Sequence, residues 1–250
     1  MNIGSLMKHI KLHEDILRGF GKVLQPSAHI LDYGCGEGNM VQAYKQRGFE
    51  VHGCDVKLSK NREDLKTMKA GVIPFPNNTF DFIFSDQVFE HVQDHPKALA
   101  EIARVLKPTG YSLHLYPARL RPYEGHTNIP LGNILQNKRW LAFWNFLGIR
   151  NTYQKDKTWR KVADLNYNYL RNYTNYPPQS FIKRTAKIHF NTVEFKKAIK
   201  LHVEHGYGPA RHIRFPAKIF PFIADIYGLF WEQVLFLENK KGTQSEDGNT

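Results

Sequence analysis

The stretch HILDYGCGEGNM, residues 29–40, places glycines at positions 34, 36 and 38 directly behind a short apolar run. Glycine at every second position carries an entropic cost, tolerated where the backbone must take φ > 0 or approach another group closely. Ile30 and Leu31 read as the end of a buried strand, and the residues from Asn39 onward as the first turn of a helix. Strand, glycine turn and helix N-terminus together form the unit on which α/β folds seat nucleotide-like ligands. A tight turn with no ligand has the same local pattern, so the rest of the chain must decide between the two.

The segments that follow alternate. Residues 8–24 carry Ile10, Ile16, Leu17, Phe20 and Leu24 at helical spacing. Strand 28–33 and helix 39–47 are followed by FEVHGCD, a second strand, and by residues 56–71, a polar helix or loop. FDFIFS, residues 80–85, reads as a strand after the turn PNNT, 96–107 as a helix ending before Pro108, and GYSLHLY as another strand. This alternation predicts a doubly wound, mostly parallel sheet of the α/β class, in which ligands bind beyond the carboxyl ends of the strands. Asp55 ends the second strand 21 residues after Gly34. At that spacing a carboxylate accepts hydrogen bonds from both hydroxyls of an adenosine ribose; a helix cap is the other reading. The glycine pattern is GxGxG, with Asn39 where a dinucleotide fingerprint has glycine, which argues against NAD.

LDYGCGEG, GCD, IPFPNNTFDFIFSDQVFEHV and EIARVLKPTG occur in this order over residues 28–116. Together they resemble the class I S-adenosylmethionine-dependent methyltransferases, in particular the small-molecule and lipid-type branch. The resemblance implies a Rossmann-like seven-stranded sheet whose last strand, VLFLENKK, runs antiparallel. It also implies S-adenosyl-L-methionine as cofactor and no metal. Asp32, Gly34, Cys35, Gly36 and Gly38 would cradle its methionine part, Asp55 would take the ribose, and Val56 would lie beside the adenine. Ser85, Asp86 and Gln87 would lie near the methionine and the transferable methyl. One departure stands out: KTMKAGVIPF lacks the acid that this family places before the PF block to contact the adenine, which leaves backbone groups at 71–73 for that role.

Charge separates the chain into parts. Residues 116–215 hold 18 Lys+Arg against 5 Asp+Glu and 17 of the 33 aromatic residues, whereas the other 150 residues hold 17 basic and 18 acidic groups. The expected organisation is residues 1–116 as the cofactor-binding part and 117–192 as a basic, aromatic-rich helical insertion over the acceptor site. Residues 193–240 would complete the sheet, with ARHIRF and VLFLENKK as strands, and 241–250 would form a disordered tail. Neither an apolar N-terminal signal nor a membrane span is expected. The two cysteines, Cys35 and Cys54, have no metal-ligand spacing and are expected as reduced thiols of a cytoplasmic chain.

The acceptor is less constrained. Arg119, Arg121, Glu124 and His126 form a P…RP.EGH block similar to one in bacterial methyltransferases of the surface-polysaccharide and glycolipid type. Arg119 and Arg121 would bind a charged or phosphate-linked sugar. His126 would act as base toward a hydroxyl, with Glu124 orienting the loop or the imidazole and His91 as the second candidate. The apolar stretch FPAKIFPFIADIYGLFWEQVLF suits peripheral contact with a membrane, or a core or dimer contact. Basic residues interleaved with Tyr and Trp also suit RNA or another nucleic acid, although no Asn/Asp-Pro-Pro-Tyr motif is present. A protein that binds the cofactor without catalysis is the remaining alternative.

Overall fold

The structure, a computed structural model, describes residues 3–58 and 62–240. The expected tail at 241–250 lies outside the described residues. In chain order the elements are α1 (Ile3–Gly19), β1 (His29–Tyr33), α2 (Asn39–Gln46), β2 (Glu50–Asp55), β3 (Leu65–Thr67), β4 (Phe80–Asp86), α3 (His95–Val105) and β5 (Leu106–Pro117). There follow α4 (Lys138–Phe146), α5 (Trp159–Tyr173), α6 (Gln179–His189), β6 (Phe190–Glu194), α7 (Lys196–His205), α8 (Arg214–Ile219), α9 (Phe222–Phe230) and β7 (Glu232–Asn239).

The strands form one sheet in the order β3-β2-β1-β4-β5-β7-β6, with β7 antiparallel to both of its neighbours. Side chains alternate between two cores. Ile30, Phe82, Phe84, Leu113, Val234 and Phe236 point to the face covered by α1, α2, α7 and α9. Leu31, Ile83, Tyr116, Leu235 and Leu237 point to the face covered by α3 and α6. Apolar residues on both faces are what a central strand sandwiched by helices requires.

Local chemistry fixes the elements that reach the carboxyl edge. α3 starts where the Asp94 side chain accepts from the Lys97 N–H at 3.0 Å, with Pro96 in the first turn, and it buries Ala98, Leu99, Ile102 and Val105 at helical spacing. The Arg104 guanidinium donates to the carbonyls of Ile73 at 2.8 Å and Phe75 at 2.9 Å, pinning the IPF segment beneath the edge. The last strand is locked by one amide: Asn239 Nδ2 donates to the carbonyls of Ala103, Leu106 and Lys107.

The structure corrects three expectations. ARHIRF is not a strand: residues 208–212 form a 3₁₀ turn that continues into α8, because Pro209 and Pro216 flank the segment and withhold backbone donors. The sixth strand is instead β6, which starts at Phe190, inside the segment expected to be insertion. α6 likewise packs Ile182 and Ala186 into the sheet core with α3, so the part of the chain lying outside the sheet layers ends near Pro178. The polar 56–71 segment contributes the short edge strand β3.

Leu235 is fully buried at the centre of the antiparallel β5–β7 pairing, opposite His114. Leu235→Ala should lower the unfolding free energy by about 2–5 kcal/mol through lost burial and the cavity left behind. A urea midpoint that does not move would contradict this packing.

Candidate active site

The carboxyl ends of β1, β2 and β4 meet at one edge, and the glycine turn binds the first two together. Gly34 and Cys35 donate their N–H groups to the Cys54 carbonyl at 2.7 and 3.1 Å. Gly36 donates to Asp55 Oδ2 at 2.8 Å, and Lys57 N–H to Asp55 Oδ1 at 3.1 Å. Gly34, Gly36 and Gly38 all have positive φ, at 85°, 52° and 74°. A Cβ at Gly34 would also lie 2.4 Å from a Val88 methyl, so this position combines left-handed backbone with close approach.

Above this turn lies a cavity of about 680 Å³, within the range of small-molecule sites. Gly34, Asp55 and Val56 line one side, Met68, Ala70 and Gly71 another, and Gln87, Val88 and His91 a third. Tyr169 and Tyr173 of α5 close it from the insertion. A second cavity of about 430 Å³ lies on the other side of the same two tyrosines, lined also by His126, Thr127, Asn151, Lys157 and Asn168.

The expected cofactor residues divide. Gly34, Asp55, Val56 and Gln87 line the large cavity. Asp32 is buried at the end of β1; burial first, then the charges of Asp86 and Asp55, push its carboxyl well above the usual range. Cys35 and Cys54 are free, buried thiols, each raised chiefly by burial. Ser85 is fully buried inside β4, 2.8 Å from His114 Nδ1. Asp86 turns toward α1, 3.3 Å from His9 Nδ1 and 3.2 Å from His13 Nε2. Burial opposes ionisation of Asp86, but the charges and hydrogen bonds of His13 and His9 hold it below the usual carboxylate range. Gln87 takes φ +58° and donates to Glu232 at 3.1 Å.

The two candidate bases lie side by side, with ring centroids 4.9 Å apart. His91 lines the large cavity and His126 the second one. His91 Nδ1 is 2.7 Å from the Tyr173 carbonyl oxygen, which only accepts, so Nδ1 carries the proton and Nε2 keeps a lone pair in the neutral ring. Burial lowers the pKa of His91. His126 Nδ1 donates to Glu124 Oε1 at 2.6 Å, and that hydrogen bond raises the pKa of His126 against the opposing effect of burial. Glu124 is fully buried, yet it stays on the acidic side because hydrogen bonds offset its burial. Its partners include the N–H groups of His126 and Thr127, the Thr127 hydroxyl and the Tyr176 hydroxyl.

Arg119 and Arg121 line neither of the two cavities. Arg119 lines a 20 Å³ cavity behind Glu90, and Arg121 stacks over Tyr123 and Trp231 at 4.9 and 5.5 Å. Several lining residues escape sequence reasoning. Tyr169 and Tyr173, spaced i,i+4 on α5, read as an ordinary helix stripe, whereas Asp94, which also lines the large cavity, is visible as the helix cap before His-Pro. Among the described residues, no cluster of three His, Cys, Asp or Glu is arranged to hold a metal, and no helix is long and apolar enough to cross a membrane.

The family described as Methyltransferase domain matches residues 8–165, more than half of the chain. The chain belongs to the class I S-adenosylmethionine-dependent methyltransferase family. It is 37% identical over 112 residues to an uncharacterized methyltransferase of Schizosaccharomyces pombe, covering 36% of this chain and 40% of that protein. It is also 34% identical over 103 residues to a demethylmenaquinone methyltransferase of Symbiobacterium thermophilum, covering 34% of this chain and 41% of that one. The alignments thus span about two fifths of these curated relatives. A Pyrococcus horikoshii protein of solved structure shares the fold, with a TM-score of 0.50 at 15% identity over 92% of this chain and 88% of that one. The cofactor of the family is S-adenosyl-L-methionine. The left-handed glycine turn, open at Gly36, and the anchored Asp55 carboxylate fit such a ligand, and the apolar walls at Met68, Val88 and Ala98 fit an adenine.

Glu90, beside His91, is 1% exposed and its Oε2 has no hydrogen-bond partner among the described residues, and burial raises its pKa from 4.5 to about 7. A raised carboxyl keeps its proton in the folded state after the unfolded chain has lost it, so stability falls as pH rises between these two values. Glu90→Gln should remove about 3 kcal/mol of that fall, read as a flatter denaturation midpoint from acid to neutral pH. An unchanged slope would contradict the assignment.

Proposed function

We propose that this protein transfers a methyl group from S-adenosyl-L-methionine to a hydroxyl of a small polar acceptor of the glycan or glycolipid class, held in the 430 Å³ cavity. The observation that carries the reading is the junction of the two cavities: Tyr169 and Tyr173 wall both, and His91 and His126 face each other across it. The lining amides of Asn151 and Asn168, with Thr127, Lys157 and the tyrosines, offer the donors, acceptors and ring faces that a polyhydroxylated molecule uses.

When bound, S-adenosylmethionine supplies a methyl already activated on a sulfonium. Gly36, with open space where a side chain would stand, would leave room for it, Asp55 would take the ribose hydroxyls, and Gly71 would offer backbone to the adenine in place of the missing acid. Positioning within van der Waals range supplies much of the rate. His126 accepts the hydroxyl proton at Nε2, because Nδ1 is committed to Glu124, and the imidazolium formed is stabilised by that buried carboxylate. Arg119 and Arg121 line neither cavity, so they act on an acceptor only where it extends beyond the cavity.

Two tests apply. Asp55→Ala should weaken cofactor binding by about 1–3 kcal/mol, and Gly36→Val should abolish the turn; unaltered affinity in calorimetry for both would refute the cofactor site. Incubation with labelled methyl donor and fractionated extract should put label into glycan or glycolipid fractions, and label in RNA would overturn the acceptor class. With an acceptor in hand, His126→Ala should lower turnover by about 10²–10⁴-fold at unchanged cofactor affinity. Glu124→Gln should move the acid limb of the pH–rate profile downward. Full activity of His126→Ala with loss in His91→Ala would reverse the two roles.

A further inference from the structure

Helices α8 and α9 are built inside out. Both bury their small residues: Ala217 on α8, and Ala224 and Gly228 together with Tyr227 on α9. Gly228 packs so closely that a Cβ there would lie 3.0 Å from Ile199 of α7. Their large apolar residues face outward instead. Phe215 is 74% exposed, Ile219 57%, Phe220 53%, Phe222 57%, Ile226 50%, Leu229 47% and Phe230 43%. A helix apolar all round is normally buried, and a contiguous exposed apolar surface of this kind marks an interaction site. Pro221 separates the two short helices, and the exposed Phe220 and Phe222 rings on either side of it lie 6.0 Å apart.

The charges around this face select its partner. Arg211, Arg214 and Lys218 are exposed, and none is ion-paired with a carboxylate among the described residues. Asp225 is the one acidic residue between 211 and 230. A two-fold contact with a second copy would bring the same cationic rim against itself, since such an interface matches each patch to its own image. Apolar side chains bordered by unpaired Arg and Lys are instead what lies in the headgroup zone of an anionic bilayer. We propose that the outer face of α8 and α9 docks this protein onto an anionic membrane surface.

The placement gives docking a use. α9 leads through Trp231 into Glu232, which accepts from Gln87 on the wall of the large cavity, and the Ala118 N–H donates to the Trp231 carbonyl at 3.2 Å. The docking face therefore ends at the carboxyl edge that carries both cavities, and docking brings that edge to the headgroup level. The inference stands on the exposed face and its rim, independently of which acceptor is methylated.

The test is sedimentation of the full chain with large vesicles of phosphatidylcholine alone or mixed with phosphatidylglycerol. Binding is expected to the anionic vesicles, weakening as salt is raised. The triple variant Phe215→Ser, Phe220→Ser, Phe222→Ser should lose partitioning by about a hundredfold or more. The variant Arg211→Gln, Arg214→Gln, Lys218→Gln should lose about tenfold or more on anionic vesicles alone. All six side chains are exposed, so melting temperature and cofactor affinity should match the parent and serve as folding controls. Absence of parent binding to anionic vesicles, or parent-like binding by the serine variant, overturns the proposal. A dimer in light scattering that the serine variant dissolves also overturns it, assigning the face to a second copy.

Discussion

The carboxyl edge of this protein depends on how the turn after β1 is tied to the end of β2. Two N–H groups share the Cys54 carbonyl, and a third reaches the Asp55 carboxylate, so the turn cannot move without the neighbouring strand. The tie requires left-handed backbone at alternate positions, which glycine supplies without a steric penalty. It also orients Asp55, whose two oxygens each accept from a backbone donor while the residue lines the large cavity. The placement of α2, the floor of the large cavity and the spacing of its walls all follow from this junction.

Around it, the site uses burial to give similar groups different characters. Three carboxylates near the edge illustrate the range. Asp32 is buried among like charges and pushed up, Asp86 is held down by two histidines of α1, and Glu124 is held down by a set of donors from its own loop and from Tyr176. The two histidines at the cavity junction diverge for the same reasons. His91 is tied to a neutral carbonyl and lowered by burial, whereas His126 is tied to a carboxylate and raised. A proton moving between such groups meets a gradient set by their partners rather than by their residue type.

Much of the sheet was legible because its strands obey simple patterning. β1, β2, β4 and β5 follow turn signals and carry β-rich runs, and β7 matches the apolar stretch that the family resemblance assigns to the last position. β3 was not legible, since a three-residue edge strand ending in Lys66 and Thr67 buries too little to leave a pattern. ARHIRF misleads because its apolar residues suit a half-buried strand, while the prolines that decide its conformation lie just outside it. FNTVE was masked by its fusion to α6 and α7 on either side. Within the site, residues near the glycine turn could be read from motif order. The tyrosine wall could not, because its position depends on how α4 and α5 fold back over the edge.

That wall has a thermodynamic consequence. Tyr169 and Tyr173 stack with ring centroids 5.6 Å apart and border both cavities. Whatever fills one cavity restricts the same two side chains that the other cavity must hold still. Where cofactor and acceptor take the two cavities as proposed, the entropy of ordering these side chains is paid once and shared by both. Linkage makes the effect mutual: the first occupant tightens the second by the same factor by which the second tightens the first.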